Sequence, residues 1–144
     1  MSRTAREVVE ALLHAIVHTP DQIADLYAPE LVIEMPFGPP LIPARRVTGR
    51  EDLRAQTKAG AAERTYTSVE NVFVHETTDP EVVVAEFEVH GRLLADGRPF
   101  ALPFLMVITV KDGLIVSSRD YNNPVVSAQV LDRVPELVAA LTAS

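Results

Sequence analysis

The segment between residues 65 and 121 restricts the fold most, because it reads as four long strands joined by short turns. Apolar and polar residues alternate there with a period close to two, and the runs are separated by turn sequences such as ADG at 95–97 and KDG at 111–113. The predicted strands cover residues 65–76, 82–94, 100–110 and 114–121. Strands joined by such turns are antiparallel neighbours, so the segment predicts a meander, and strands this long form a sheet that curves.

The residues before this meander supply helices that would cover one face of the sheet. Residues 4–18 are typical of an amphipathic helix. Its apolar face carries Val9, Leu12, Leu13 and Ile16. A short second helix is expected from Thr19 to about residue 28, because Pro20 is well suited to the first helical position. A strand over 31–37 and a third helix over 49–62 follow.

The remaining segments complete the predicted architecture. A loop rich in prolines (Pro36, Pro39, Pro40 and Pro43) separates the first strand from the third helix. Asparagines and a proline at 122–124 stop the last strand, and the apolar tail predicts a docking helix interrupted near Pro135. We therefore expect one α+β domain over residues 1–144: a cone-shaped, curved antiparallel sheet, wrapped by three N-terminal helices and followed by a C-terminal helical tail.

The strand over 100–110 is apolar on both faces. One face carries Leu102, Phe104, Met106 and Ile108, and the other carries Ala101, Pro103, Leu105 and Val107. The helices can cover only one of these faces. A second copy of the chain is the simplest cover for the other, so we expect a homodimer through the sheet.

Composition and charge exclude several classes of function. The chain has no cysteine, which rules out disulfides, thiolate metal sites and cysteine nucleophiles. Its net charge is −7, and its one pair of neighbouring arginines is Arg45 and Arg46. Because binding to nucleic acid or to an anionic membrane requires a concentrated basic surface, neither is an expected partner. The apolar run over 100–110 is too short to span a bilayer, and no signal-peptide pattern opens the sequence. We expect a cytoplasmic protein.

Three short stretches carry a resemblance to known families. Residues 27–38 (YAPELVIEMPFG) resemble the first strand of ketosteroid isomerases. Residues 86–91 (EFEVHG) and 118–124 (SRDYNNP) are more similar to SnoaL-like polyketide cyclases and to phenazine biosynthesis A/B proteins. All of these belong to the nuclear transport factor 2-like superfamily, and the resemblance extends over nearly the whole chain. It implies a curved sheet around a pocket, but this fold hosts isomerases, cyclases, dehydratases, epoxide hydrolases and binders.

The ketosteroid isomerase mechanism does not transfer to this sequence. That chemistry requires a carboxylate base and an oxyanion hole built from a tyrosine and a protonated aspartic acid. The resemblance places Met35 at the base, Leu105 near the protonated acid and Ala11 near the donor tyrosine. None of these side chains transfers a proton. Tyr27 alone matches a supporting tyrosine of that family, with a buried structural role as the alternative.

The phenazine-type resemblance instead singles out Asp120, which occupies the acidic position before an aromatic residue and an Asn-Pro pair. Strand alternation puts Asp120 on one face with Val116, Ser118 and Asn122, and the resemblance makes that face the pocket side. A carboxyl group in an apolar pocket has a raised pKa and can act as general acid or base near neutral pH. An ion pair with an arginine, or capping of the following helix, is the structural alternative.

Several further residues are predicted to lie in the pocket. Gln56 and a position near Gly60 fall where the phenazine-type proteins carry a histidine and a serine, so that condensation chemistry is also unsupported. The neutral polar candidates for binding a ligand carbonyl or hydroxyl are Gln56, Ser118 and Asn122, each with backbone hydrogen bonding as the alternative. The candidates for apolar pocket walls are Met35, Phe37 and Leu105, which could equally fill a core.

The remaining candidates are three of the histidines and the arginine pair. His14 and His18 are four residues apart on a helix, a spacing that two metal ligands can use, but a solvated helix face is the favoured interpretation because no third ligand is evident. His90 shares a strand face with Glu86 and Glu88, and we expect these three to face outward at the dimer contact. Arg45 and Arg46 could steer an acidic ligand or simply offset local acidic charge.

Two functions remain open. The leading hypothesis is a SnoaL-like enzyme that transfers a proton through Asp120 on an apolar ketone or polyketide-like substrate, giving cyclisation, isomerisation or dehydration. This scheme requires neither a cofactor nor a metal. The alternative is a non-catalytic domain that binds a small molecule, which the loss of the isomerase groups favours.

Overall fold

A curved six-stranded sheet forms one layer of the protein, and a computed structural model describes residues 2–38 and 46–143 of it. The strands are β1 (Tyr27–Glu34), β2 (Arg46–Thr48), β3 (Arg64–Glu76), β4 (Val82–Leu93), β5 (Pro99–Lys111) and β6 (Leu114–Asn122). Their spatial order is β2-β1-β6-β5-β4-β3. The predicted meander is present as β3 to β6, in which each strand pairs antiparallel with the next.

The pairing of β1 with β6 corrects the expectation of a wholly antiparallel sheet, because these two strands run parallel. A parallel pair needs a long crossover, and the chain between β1 and β6 supplies one. The first strand also begins at Tyr27 rather than at residue 31 and ends at Glu34. The short strand β2 was not predicted, since three residues carry almost no periodic signal.

The described residues also form five helices, and the three that precede β3 pack against the sheet. They are α1 (Ala5–His18), a 3-10 helix (Pro20–Leu26), α2 (Arg50–Ala61), α3 (Pro124–Val130) and α4 (Val134–Thr142). A reciprocal capping box starts α1: the Thr4 hydroxyl accepts from the Glu7 amide at 3.2 Å, and the Glu7 carboxylate accepts from the Thr4 amide at 2.9 Å. In the described part of the chain, no helix is both long and apolar enough to cross a membrane.

The hydrophobic core lies between α1 and the inner face of the meander. Its residues include Val8, Val9, Leu12, Leu31, Val83, Ala85, Ile108 and Ile115, all nearly inaccessible to solvent. Alternation along β4 sends Val83, Ala85 and Phe87 inward and Glu86 outward, as expected for a sheet with one covered face. The residues Pro39, Pro40, Pro43 and Arg45 of the predicted loop lie outside the described residues.

Candidate functional site

A cavity of about 330 Å³ lies between the inner face of the sheet, α1, the 3-10 helix and α2. Its apolar wall includes Leu12, Ile16, Ile23, Leu53, Phe87, Phe104 and Met106. Its polar lining includes Tyr27, Gln56, Thr57, Arg64, Tyr66 and Asp120. An apolar hollow with a few convergent polar groups is the usual form of a small-molecule site, and this volume is at the lower end of the common range.

The composition of α2 explains why the cavity is not filled. None of its residues is fully buried. The helix is held instead by polar contacts: the Arg50 guanidinium donates to the Tyr27 carbonyl at 2.7 and 3.0 Å, and Arg54 pairs with Asp25 at 3.0 Å. The helix therefore borders the cavity without filling it, and its larger side chains there, Leu53 and Gln56, lie in the cavity lining.

Asp120 lies on β6 at the inner wall of the cavity, opposite Met106 of β5. Burial raises its pKa to about 6 from the ordinary value of 3.8, and a hydrogen bond from Ser118 partly opposes this rise. The Ser118 hydroxyl donates to Oδ1 at 2.8 Å. Among the residues that the structure describes, no donor contacts Oδ2 and no cation pairs with Asp120. The carboxyl group is therefore anchored through one oxygen and open to a ligand through the other.

Among the described residues, neither structural alternative for Asp120 matches its surroundings, and Arg45, which was one possible ion-pair partner, lies outside them. Asn123, not Asp120, caps α3, because its side chain accepts from the amides of Val125 and Val126 at 3.0 and 3.3 Å. Arg119 is exposed, and strand alternation places it on the opposite face of β6.

Tyr27, the first residue of β1, contributes a second polar group to the same wall. It is buried, and its pKa is raised chiefly by burial and further by the negative charge of Asp120. Its hydroxyl therefore stays protonated and serves as a neutral hydrogen-bond donor. The cavity thus combines a carboxyl group that titrates near neutral pH with a phenol that does not.

Arg64 and Tyr66 line the cavity as well, although they were not predicted from the sequence. Arg64 Nε donates to the Tyr66 hydroxyl at 2.9 Å, and the Tyr66 ring packs edge-on against Phe100 with 6.1 Å between ring centres. The sequence does indicate that the two residues share a face, because they are two positions apart at the start of a strand. Nothing local indicated that this face adjoins the end of α2.

The structure brings only some of the predicted site residues together. The cavity is lined by Tyr27, Gln56 and Asp120, and Ser118 is hydrogen-bonded to Asp120. Asn122 follows on the same strand, but its amide contacts the Ser127 hydroxyl at 3.4 Å and does not line the cavity.

Two predicted wall residues lie elsewhere in the fold. Met35 packs at the edge of the hydrophobic core rather than in the cavity lining. Phe37 is 56% exposed and packs edge-on against Tyr121, with 5.1 Å between ring centres.

The assignments of Leu105 and Val116 to the pocket are wrong. Leu105 projects from the opposite face of β5 to the cavity residues Phe104 and Met106, because side chains alternate along a strand. Val116 is displaced by a β-bulge in β6: Val110 pairs with Ile115 and Thr109 with Ser117, so that Ile115 takes the buried position.

The histidines lie away from the cavity. His14 and His18 are exposed and stack at 4.3 Å. His90 contacts Glu88 at 2.6 Å and Glu70 at 3.3 Å on the outer side of the sheet. Within residues 2–38 and 46–143, no cluster of three or more His, Asp or Glu side chains is arranged to hold a metal ion.

A second, larger depression does not share the character of the cavity. It measures about 520 Å³ and lies beside the start of α1. Its walls include Arg3, Glu76, Asp79 and Glu81, all exposed. Solvated charges of both signs do not favour an apolar ligand, so the cavity at Asp120 is the better candidate.

Comparison with known proteins identifies the family. The SnoaL-like domain matches residues 6–118. A PhzA/B-like protein of Pseudomonas aeruginosa, itself uncharacterized, is 32% identical over 110 residues, which cover 76% of this chain and 77% of the relative.

Two solved structures share the fold. A phenazine biosynthesis-related protein from Pseudomonas aeruginosa superimposes with a TM-score of 0.76 at 19% identity, covering 89% of this chain and 80% of the other. SalBIII, described as an epoxide hydrolase/cyclase-like enzyme in pyran ring formation in polyether salinomycin, superimposes with a TM-score of 0.70 at 17% identity, covering 85% and 92%. With a family match over most of its length, this chain belongs to the SnoaL-like domain family.

Proposed function

We propose that this protein is an enzyme that transfers a proton on an apolar ketone or polyketide-like substrate, with Asp120 as the catalytic residue. The observation that carries the proposal is the state of Asp120: its carboxyl group lines an apolar cavity, one oxygen is held by Ser118, and its pKa is about 6. A general base is most effective when its pKa is close to the working pH. The family and the cyclase-like fold neighbour agree with a small-molecule enzyme.

The proposed reaction begins at a carbon next to the ketone. Oδ2 of Asp120 takes a proton from that carbon, the C–H electron pair forms the carbon–carbon double bond of an enolate, and negative charge collects on the carbonyl oxygen. The Tyr27 hydroxyl donates a hydrogen bond to that oxygen, because its raised pKa keeps it protonated. In an unsaturated ketone, Asp120 returns the proton to the far carbon of the conjugated enolate and so isomerises the substrate. Attack of the enolate carbon on a second carbonyl closes a ring, and the alkoxide that forms takes the proton from Asp120. In a β-hydroxy ketone, Asp120 gives its proton to the hydroxyl, which leaves as water while the enolate electrons form the carbon–carbon double bond.

Hydrogen–deuterium exchange tests this step without knowledge of the natural substrate. A panel of bicyclic ketones, beginning with 1-tetralone, is screened for binding by ligand-detected NMR, and exchange at the carbon next to the carbonyl is then followed in D₂O. We expect the native protein to accelerate exchange of a bound ketone, with a rate that rises as the pH increases through about 6, because only the deprotonated carboxyl group accepts a proton. Asp120→Asn should exchange at the buffer rate.

The control for the exchange assay is Asp112→Asn, which removes an exposed carboxylate in the turn between β5 and β6, outside the cavity. It should exchange as the native protein does. If bound ketones exchange no faster with native protein than in buffer, the enzyme proposal is lost and a non-catalytic binding domain is the remaining function. Equal rates for native protein and Asp120→Asn would remove the assigned role of Asp120.

We also propose that the protein is a homodimer through the outer face of its sheet. Partly exposed apolar residues occupy the centre of that face: Val84, Leu105 and Val107. Acidic Glu70, Glu86 and Glu88 lie on one side of this centre, and Arg46 and Arg119 lie on the other beside Glu34. A two-fold axis through the centre would place the acidic side of one copy over the basic side of its partner.

Light scattering tests the proposed dimer. The native protein should have twice the chain mass of 15.8 kDa at micromolar concentration, and Leu105→Glu should shift it toward monomer, because it buries an unpaired charge in the apolar centre. The matched control is Val138→Glu at an exposed position of α4, which should leave the mass unchanged. A mass equal to that of one chain at every protein concentration would rule out the proposed dimer.

A further inference from the structure

The end of the cavity formed by α2 and β3 carries a pair of polar groups, Arg64 and Tyr66, that the proposed reaction does not use. Only 22% of the Arg64 side chain is exposed. Burial of a guanidinium at an apolar cavity is costly unless its N–H donors have hydrogen-bond acceptors. The partners of Arg64 therefore indicate whether a ligand completes its hydrogen bonding.

Two of the three nitrogens of the Arg64 guanidinium have protein partners. Nε donates to the Tyr66 hydroxyl at 2.9 Å, and Nη1 donates to the Glu63 carboxylate at 3.1 Å. Glu63 is 55% exposed, so water screens its charge and the ion pair neutralises Arg64 only weakly. Nη2 donates to no acceptor among the residues that the structure describes.

The surroundings of Nη2 show why it stays accessible. A β-carbon at Gly60, on the last turn of α2, would lie 3.4 Å from it. Because position 60 is a glycine, the space that a side chain would occupy remains open on the cavity side of the guanidinium. Gly60 itself lines the cavity.

Tyr66 adds a second donor at the same place. Its hydroxyl oxygen accepts the hydrogen bond from Arg64 Nε, and its own proton is then directed to another acceptor. The ring is held by edge-on packing against Phe100. No described residue accepts this proton. Two donors, one of them charged, therefore lie at the same end of the cavity, and neither has an acceptor within residues 2–38 and 46–143.

We infer that Arg64 and Tyr66 form a subsite for an anionic oxygen, and that the natural ligand is an apolar molecule with a carboxylate or similarly acidic group at one end. A carboxylate would accept from Arg64 Nη2 and the Tyr66 hydroxyl together, and charge-assisted hydrogen bonds of this kind are stronger than neutral ones. In the context of the proposed function, this inference defines the substrate as an acidic ketone.

The placement of Asp120 agrees with such a ligand. Asp120 lies in register with Met106 and Ala85, whereas Tyr66 lies in register with Gly91, six residues further along β4. The two positions are thus about 20 Å apart along the strand direction, and three strand spacings of about 4.8 Å each separate β6 from β3. A ligand oriented by its acidic group at Arg64 would direct its apolar body toward Asp120, and the two negative charges would stay apart.

A matched pair of probes tests the subsite: 2-naphthoate and 2-naphthamide, which have the same ring system and number of heavy atoms but differ in charge. Each probe is titrated into the protein, and its dissociation constant is measured by NMR. We expect native protein to bind the carboxylate more tightly than the amide. Arg64→Gln should weaken naphthoate binding about tenfold or more, and naphthamide binding by less than about threefold, since only the charged hydrogen bond is lost.

Two further variants separate recognition from general effects of charge and folding. Arg92→Gln removes the same charge from an exposed site outside the cavity, and it should leave both affinities nearly unchanged. Tyr66→Phe keeps the ring but removes the hydroxyl, and it should reduce naphthoate affinity more than naphthamide affinity. This second variant also tests the subsite if Arg64→Gln does not fold.

The outcomes distinguish this inference from the proposed reaction. Equal weakening of both probes by Arg64→Gln and by Tyr66→Phe, or no weakening by either, would overturn the subsite even if ketone exchange depends on Asp120. Conversely, a charge preference that depends on Arg64 and persists in Asp120→Asn would support the subsite even if that variant exchanged ketones at the native rate.

Discussion

Replacing Gly91 with alanine is expected to destabilise the fold by about 3 kcal/mol. A β-carbon at this position would lie 2.2 Å from the Thr65 carbonyl oxygen and 2.8 Å from Cζ of Phe100. The first clash is with backbone in the paired strand β3, so it cannot be relieved by rotating a side chain. Relief would require moving β3 away from β4 next to Tyr66, and this would also open the end of the cavity.

Gly60→Ala is the matched control for Gly91→Ala. Its new β-carbon would lie 3.4 Å from the flexible end of Arg64, and alanine is the better helix former by about 1 kcal/mol. We therefore expect it to be neutral or stabilising by up to about 1 kcal/mol. Urea denaturation of both variants measures the two effects. A loss below about 1 kcal/mol for Gly91→Ala would mean that β3 and β4 do not approach this closely in solution.

The sheet was largely predictable from sequence because its strongest signals are local. Strand alternation and turn residues act over a few positions, and they predicted β3 to β6 to within a few residues at each end. The parallel contact between β1 and β6 is different. It joins Ile33 to Ser118, more than eighty residues apart, and no local pattern specifies which strand a short apolar segment will choose as its neighbour.

The candidate site was predictable only where alternation and resemblance agreed. Both favoured Asp120, with Ser118 on the same face, and these two residues are hydrogen-bonded. Leu105 was assigned by resemblance against its own alternation, and alternation was right. The prediction for Val116 was wrong because a β-bulge adds one residue to β6, so that residues before and after the bulge alternate out of phase. A bulge has no reliable sequence signal.

Arg64 was missed for a physical reason of another kind. Its proximity to the cavity depends on where the end of α2 meets the start of β3, and on the open space at Gly60. A charged residue at a strand end is ordinarily interpreted as solvated. Only the packed structure distinguishes an arginine with 22% of its side chain exposed from one that is fully hydrated.

The second large effect concerns Asp120, for which Asp120→Asn should raise stability and abolish catalysis. Burial raises the pKa of Asp120 from 3.8 to about 6 in the folded protein, so the folded state binds a proton more tightly than the unfolded state does. Its stability therefore falls as the pH rises from about 4 to about 6. Asparagine stays neutral throughout and can still accept the Ser118 hydrogen bond.

We expect Asp120→Asn to be more stable than the native protein by about 1–3 kcal/mol at pH 8. At pH 4 the difference should shrink to less than about 1 kcal/mol, because the carboxyl group is then protonated in the folded protein and only partly ionised in the unfolded chain. Urea denaturation at the two pH values measures this difference. Asp112→Asn, which changes an exposed carboxylate in the turn between β5 and β6, should change stability by less than about 1 kcal/mol at either pH.

The same Asp120→Asn substitution should lower the exchange rate of a bound ketone at least about 100-fold, because a positioned general base contributes that much or more. Opposite changes in stability and rate would show that the carboxylate is kept at a cost to folding because the reaction needs it. A stabilised variant that still exchanged ketones at the native rate would instead leave a buried charge with no catalytic role. In that case the cavity would be a binding site whose selectivity comes from its other polar groups.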